Sequence, residues 1–238
     1  FLRWKNSEKK LFCLDIFYQL IFLALATYCR QYFAVFFIYF LGIYYEKLSR
    51  KDFFLIFFIC CLTSLPVLFY TYLFPELLTE QHISIMALPY FLLGNTSMIS
   101  IYLLPIFISY VFINHKKLNF INYLYATIFS IVIVYILSLY FKPNNWSGGG
   151  VIYTLSINLF ENNYLFFLSS FFTYFIFCNF ILEKKYNLLI ILISIFVFFS
   201  FQVYQRYYEP MFVIILFLLI ETNQIKIFLN NIRSSIFL

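Results

Sequence analysis

The sequence predicts an all-α protein, a polytopic bundle of about eight membrane-spanning helices with both termini on the cytoplasmic side. Three observations carry this. Hydrophobic residues make up 64% of the 238 and charged residues only 11%, with a mean hydropathy of +0.89. Soluble domains carry about 25% charged residues, so this chain has too few to cover a water-facing surface. A cytosolic enzyme, a nucleic-acid binder and a disordered tail are thereby excluded. Second, the apolar residues form continuous runs near spanning length, without the period-two alternation of a β-barrel. Third, the basic residues gather on alternate junctions between those runs.

The runs are 11–29, 31–45, 53–74, 98–114, 118–141, 164–182, 187–204 and 210–222. The first opens after Lys9 and Lys10 and holds Asp15 one turn inside; the second, which is short, leaves the tight turn at Arg30. The third starts beyond Arg50 and Lys51 and contains Pro66; the fourth contains Pro105. Proline removes one helical hydrogen bond and bends the helix, which neighbouring groups compensate in membranes. The fifth leaves the His115-Lys116-Lys117 turn, and the seventh leaves Glu183-Lys184-Lys185. Both turns read as orientation signals alone. The eighth begins at Pro210 and is again short. No repeat, inverted symmetry or linker interrupts the series, so residues 1–238 read as one integral membrane domain.

Thirteen of the sixteen basic residues lie on one set of junctions: Arg3, Lys5, Lys9, Lys10, Lys47, Arg50, Lys51, Lys116, Lys117, Lys184, Lys185, Lys226 and Arg233. The positive-inside rule assigns that side to the cytoplasm. Arg30, Lys142 and Arg206 fall on the opposite side. A cation kept where cations are avoided is a functional candidate.

Arg30 and Gln31 sit in a turn too short to be a real loop, so the guanidinium lies at headgroup depth, where it can grip a phosphate through two parallel hydrogen bonds. Snorkelling to ordinary phospholipid is the bland alternative. Gln202, Gln205, Arg206, Tyr207, Tyr208 and Glu209 form a polar and aromatic cluster before Pro210. Amide and hydroxyl groups of this kind pair with sugar hydroxyls while rings stack on a sugar's apolar face; an aromatic belt at the interface accounts for the tyrosines alone. Residues 142–163 form a long external segment containing Lys142 and the run Asn144 to Gly150, whose glycines Gly148, Gly149 and Gly150 let backbone N–H groups approach an anion. It lacks the Gly-Lys-Ser/Thr ending of a P-loop. Residues 151–160 are expected to form about three turns of helix lying in the interface. Residues 75–97 form a second long external loop, with Glu76 and Glu80 four apart. A carboxylate there, or at Glu161 or Glu209, can act as a general base or bind a divalent cation, the one cofactor the sequence leaves open. Asn95-Thr96-Ser97 and Asn145-Trp146-Ser147 read as external glycosylation sequons.

Cys13, Cys29, Cys60, Cys61 and Cys178 are odd in number and irregular in spacing, and they read as inert thiols; His82 and His115 lie far apart. No metal site is indicated.

Arg30-Gln31 at an external span end, the glycine-rich stretch Ser147 to Gly150, and the late cluster Gln205 to Pro210 together resemble the GT-C class of membrane glycosyltransferases, in particular the dolichol-pathway α-1,2-glucosyltransferase family and its bacterial relatives. The Gly-Asp-x-x-x-His pattern of that family is absent, since Gly150 is followed by Val151. The resemblance implies a polyprenyl-phosphate-linked sugar donor and a site on the external face. That face is periplasmic in a bacterial inner membrane or lumenal in the endoplasmic reticulum. It also implies a catalytic carboxylate near the N-terminus. The chain opens on Phe1 instead of Met, so that carboxylate is expected upstream of Phe1 or at Glu76 or Glu80, with Arg206 as its catalytic partner against the phosphate. Arg30, Gln31, Lys142, Gly148, Gly149, Gly150, Gln202, Gln205, Tyr207, Tyr208 and Glu209 are the expected substrate-binding residues. Two other readings are a polymerase or ligase of lipid-linked oligosaccharide, and a non-enzymatic flippase, transporter or membrane-complex subunit.

Overall fold

The structure, a computed structural model, describes residues 14–29, 33, 35–73, 88–114, 120–141, 150–196, 212 and 215–236. These residues are helical wherever they are regular; none forms a strand. The chain divides into two compact units, Phe1–His82 and Ile83–Leu238.

The first unit holds α1 (Leu14–Cys29), α2 (Val35–Lys47) and α3 (Arg50–Leu73). Ile16 and Leu20 of α1 pack with Tyr44 of α2 and with Ile56 and Cys60 of α3. The Tyr44 hydroxyl reaches Gln19 Oε1 at 2.6 Å, and Tyr28 Oη donates to the Thr63 carbonyl at 2.6 Å. Each bond satisfies a polar group on a helix with little water available to it. Ser49 starts α3: its Oγ accepts from Asp52 N–H at 3.2 Å and donates to the Asp52 carboxylate at 2.7 Å, a two-way cap that satisfies an orphan donor of the first turn. Helix α3 runs unbroken through Pro66 and turns Phe54, Phe58, Leu62 and Phe69 outward.

The second unit is built on a pair of helices, α4 (Leu88–Asn114) and α7 (Tyr164–Glu183). Small polar residues line their contact. Ser170 Oγ donates to the Leu93 carbonyl at 2.9 Å and Thr173 Oγ1 to the Thr96 carbonyl at 2.6 Å. The two bonds advance by three residues on both helices, so α4 and α7 run parallel here. Small residues let the backbones approach closely, and such interhelical bonds are worth about 0.6 kcal/mol each on average. The remaining hydroxyls of the seam turn back on their own helices: Ser97 Oγ donates to the Gly94 carbonyl at 2.8 Å and Ser100 Oγ to the Ser97 carbonyl at 2.6 Å.

Around this pair, α5 (Phe120–Leu139) packs on α7 and α4 through Ala126, Ser130 and Val134, one per turn; α6 (Gly150–Phe160) packs on the same two helices. Elsewhere on α5, Tyr125, Phe129, Val132 and Ile136 are exposed. An apolar surface of that extent is accounted for by lipid as its solvent. Helix α8 (Asn187–Phe196) is tied to α4 where Asn95 Nδ2 donates to the Ile195 carbonyl at 2.8 Å. A π-helical turn, Ile215–Leu219, precedes α9 (Asn223–Ile236), which packs on α4. Among the described residues, three helices are long and apolar enough to cross a membrane: Leu88–Ile113, Phe120–Leu139 and Tyr164–Glu183. At 1.5 Å per residue they extend about 30–40 Å, against a hydrocarbon core of about 30 Å.

Three sequence expectations change. Helix α4 starts at Leu88, not at residue 98, so the last ten residues of the expected 75–97 loop are helical. Gly94-Asn95-Thr96-Ser97 looks like a turn in water. Here its side chains bond to carbonyls within α4 or on a neighbour, and Pro89 suits the first helical turn. The Asn95 sequon is consequently no surface acceptor, because Asn95 is 1% exposed. Finally, the expected last run 210–222 ends in a π turn and three non-helical residues, and a further helix, α9, follows it.

Candidate functional site

Of the residues singled out from sequence, Gly150 is described. Arg30, Gln31, Glu76, Glu80, Lys142, Gly148, Gly149, Gln202, Gln205, Arg206, Tyr207, Tyr208 and Glu209 lie outside the described residues, as does the Asn145 sequon.

Gly150 ends the glycine-rich run and is the first residue of α6. Its φ is +79°, and an added Cβ would stand 2.8 Å from both Cγ and Sδ of Met98 on α4. Backbone conformation and space both ask for glycine. Met98 is fully buried, so the run is seated directly on the bundle at this point.

Beside that seat is an aromatic floor. Tyr90 of α4 stacks on Phe141 with centroids 5.8 Å apart, and Tyr153 of α6 meets Phe166 of α7 edge-on at 5.3 Å. Phe141 also contacts Phe166 at 5.5 Å and Phe167 at 5.4 Å. Each such pair adds about 0.5–1.5 kcal/mol beyond area burial. The floor joins α4, Phe141 just after α5, α6 and α7. Burial pushes the Tyr153 phenol above its ordinary value.

The far end of α6 is a tight corner. Glu161 has φ +53° and its N–H bonds to the Ile157 carbonyl at 3.0 Å, so a carboxylate-bearing residue occupies the left-handed stop position usually given to glycine. Asn162 then opens α7, accepting from Tyr164 N–H at 3.0 Å, while buried Ser156 Oγ donates to the Asn162 carbonyl at 2.6 Å. The expected helix over 151–160 is thus present, bounded by Gly150 and Glu161, and packed on α7 and α4.

A second polar assembly lies where the α7–α8 turn meets the start of α9. Glu183 Oε2 accepts from Asn223 N–H at 2.9 Å and Glu183 Oε1 from Gln224 Nε2 at 3.4 Å, placing a carboxylate at the positive end of α9. Thr222 Oγ1 accepts from Ile225 N–H at 3.3 Å, and Lys184 Nζ pairs with Glu221 Oε2. Asn187, 2% exposed, grips the backbone of Glu221 in both directions: Nδ2 donates to the Glu221 carbonyl at 3.1 Å, and Oδ1 accepts from Glu221 N–H at 3.1 Å. Nδ2 also donates to the Phe180 carbonyl at 2.9 Å. The Glu183-Lys184-Lys185 turn, expected to be an orientation signal alone, is therefore also a structural clamp. Its partners lie 34 to 41 residues away in sequence, a separation that no local pattern records.

Among the described residues no group of three or more His, Cys, Asp or Glu stands together to hold a metal ion. No family model, curated protein or solved structure matches the chain.

Proposed function

We propose that the chain is an integral membrane glycosyltransferase of the GT-C kind, moving a sugar from a polyprenyl-phosphate-linked donor on the external face of the membrane. The observation that carries this reading is the placement of Arg30, Lys142 and Arg206 against the run of thirteen other basic residues, at a depth where phosphate is the natural counter-ion. The geometry around Gly150 supports it. Gly150, the last residue of the glycine run, is seated against Met98 beside the aromatic floor. The finer topology belongs to this proposal: eight spans, both termini cytoplasmic, in a bacterial inner membrane or the endoplasmic reticulum. The contact between the junctions at Lys184 and at Glu221–Asn223, which the charge pattern assigns to one side, is compatible with that topology.

The chemistry follows from charge. The bond between the sugar's anomeric carbon and the phosphate oxygen breaks as the acceptor oxygen bonds to the same carbon. The acceptor proton passes to an external carboxylate, and polyprenyl phosphate leaves with the negative charge. Arg206 stabilises that charge, which develops most strongly in the transition state, where fixed cations accelerate most. Arg30 offers the same contact at its own span end.

The test uses the purified full chain in detergent. Polyprenyl monophosphate is expected to raise the unfolding temperature where the uncharged polyprenol does not. Arg206→Ala is expected to weaken phosphate binding by about 10- to 100-fold, the range of a charge-assisted hydrogen bond of about 1.5–3 kcal/mol. Equal responses to phosphate and alcohol, with no transfer of labelled sugar from polyprenyl-phosphoryl donors, would overturn the proposal.

A further inference from the structure

The strongest unexplained feature lies at the opposite end of the second unit from the glycine run. Helix α9 has 14 residues, about 21 Å, too short to cross a hydrocarbon core of about 30 Å. Among the described helices it is the most strongly amphipathic. Ile225 is buried, and Phe228 stacks on Phe217 of the preceding π turn with centroids 6.5 Å apart. Leu229 and Ile232 continue the same stripe at helical spacing. The opposite stripe runs through Asn223, Lys226, Asn230 and Arg233, at intervals of three and four. Asn223, Lys226 and Asn230 are exposed.

The charges on this stripe have one sign. From Asn223 onward the sequence contains Lys226 and Arg233 and no Asp or Glu. The neighbouring carboxylates are engaged: Glu183 receives the N–H groups at the start of α9, and Glu221 pairs with Lys184. The clamp also brings up the α7–α8 turn, whose Lys185 and Tyr186 are exposed, Tyr186 by 67%. Tyrosine beside lysine at a helix end is the composition of a headgroup-level belt. Phe212, Ile215, Leu216, Leu219 and Ile220 of the adjoining chain are buried and apolar. A short amphipathic helix leaving such a stretch, apolar on one side and cationic on the other, matches a surface where acyl chains give way to negative headgroups.

We infer that α9, together with the Lys185–Tyr186 turn, is a docking surface for anionic phospholipid headgroups, and that α9 lies along the membrane surface with Lys226 at phosphate level. The occupant is the lipid surface of the chain's own membrane, fixed by charge complementarity and by continuity with the apolar stretch before it. This inference does not depend on the glycosyltransferase reading, which concerns the other face.

The experiment is amide hydrogen exchange on the full chain in nanodiscs of phosphatidylcholine alone or mixed with phosphatidylglycerol. Residues 226–236 are expected to exchange more slowly in the anionic discs. A basic residue near an anionic surface contributes about 1 kcal/mol, so each cation accounts for about fivefold of that protection. Lys226→Gln with Arg233→Gln should abolish the lipid difference, Lys226→Arg with Arg233→Lys should retain it, and exchange in α7 should not change in either pair. Equal exchange in the two lipids would overturn the inference. So would a lipid difference that survives the double glutamine variant, or protection that follows protein concentration, the mark of a second copy.

Discussion

Gly150→Ala tests how the glycine-rich run is seated. Two penalties add in the structure. At φ +79° an L side chain is strained, which costs about 1–2 kcal/mol. The new methyl would also stand 2.8 Å from two atoms of Met98. Because Met98 is fully buried, moving it displaces its own neighbours, and overpacking of this kind costs about 1–3 kcal/mol. Methionine is flexible, which favours the lower half of that range. The sum is about 2–4 kcal/mol, and at about 2–4 °C per kcal/mol for a chain of this size the unfolding midpoint should fall by about 5–15 °C.

The assay is thermal unfolding in detergent, run as a double-mutant cycle. Met98→Ala removes the obstructing atoms. In that background Gly150→Ala should keep only its backbone share, leaving a coupling of about 1–2 kcal/mol between the two positions. An unchanged midpoint for Gly150→Ala would refute the left-handed conformation at this residue. The same loss in both backgrounds would refute the contact with Met98 while sparing the conformation.

Other consequences can be checked by the same unfolding measurement. Glu161→Gly relieves the left-handed strain at the end of α6 and should stabilise by about 0.5–1 kcal/mol; a destabilised variant would show that the carboxylate holds something. Asn187→Leu removes bonds to the Phe180 carbonyl and to both backbone groups of Glu221. It should cost about 2–4 kcal/mol, because buried backbone groups are left unpaired, and it should raise proteolytic nicking before α9. Thr173→Val with Ser170→Ala removes the bonds to the Thr96 and Leu93 carbonyls of α4 and should cost only about 1 kcal/mol. A much larger loss would mean that the seam is held by these bonds more than by close packing. Burial raises the Tyr153 phenol, so the folded state keeps its proton longer than the unfolded state does. Stability is expected to be flat below the ordinary tyrosine value and to fall as pH rises beyond it. Tyr153→Phe should lessen that alkaline loss.

The sequence made some elements plain for a simple reason. Runs without charge, closed at both ends by Lys, Asn or Pro, have few places to stop. The expected 118–141 and 164–182 correspond to helices over 120–139 and 164–183. Helix α4 escaped in part because Gly94 to Ser97 carry turn chemistry, and turn chemistry predicts turns only where water competes for the backbone. Helix α9 escaped because a search for continuous apolar runs passes over an amphipathic one. The clamp at Asn187 was invisible because its partners come from distant segments. Gly150 was recognised as a turn residue, but its second reason, Met98, lies 52 residues earlier and on another helix.

The distribution of polar groups also bears on where chemistry can occur. Helices α4 and α5 contain no Asp, Glu, Lys or Arg, and α7 contains none before Glu183. Their polar side chains are hydroxyls and amides, and the bonds they make run to carbonyls on the same helix or on its neighbour. A proton or ion pathway needs groups that change charge at membrane depth, and these three helices offer no carboxylate, ammonium or guanidinium there. Neutral hydroxyls engaged in helix contacts hold a scaffold together but carry no charge across it. Among the described residues of the second unit, the ionisable ones stand at helix ends: Glu183, Lys184 and Glu221 are committed to positioning α9. Under the glycosyltransferase proposal, Arg30 and Arg206, and not the seam of serines and threonines, are the positions to mutate first for activity.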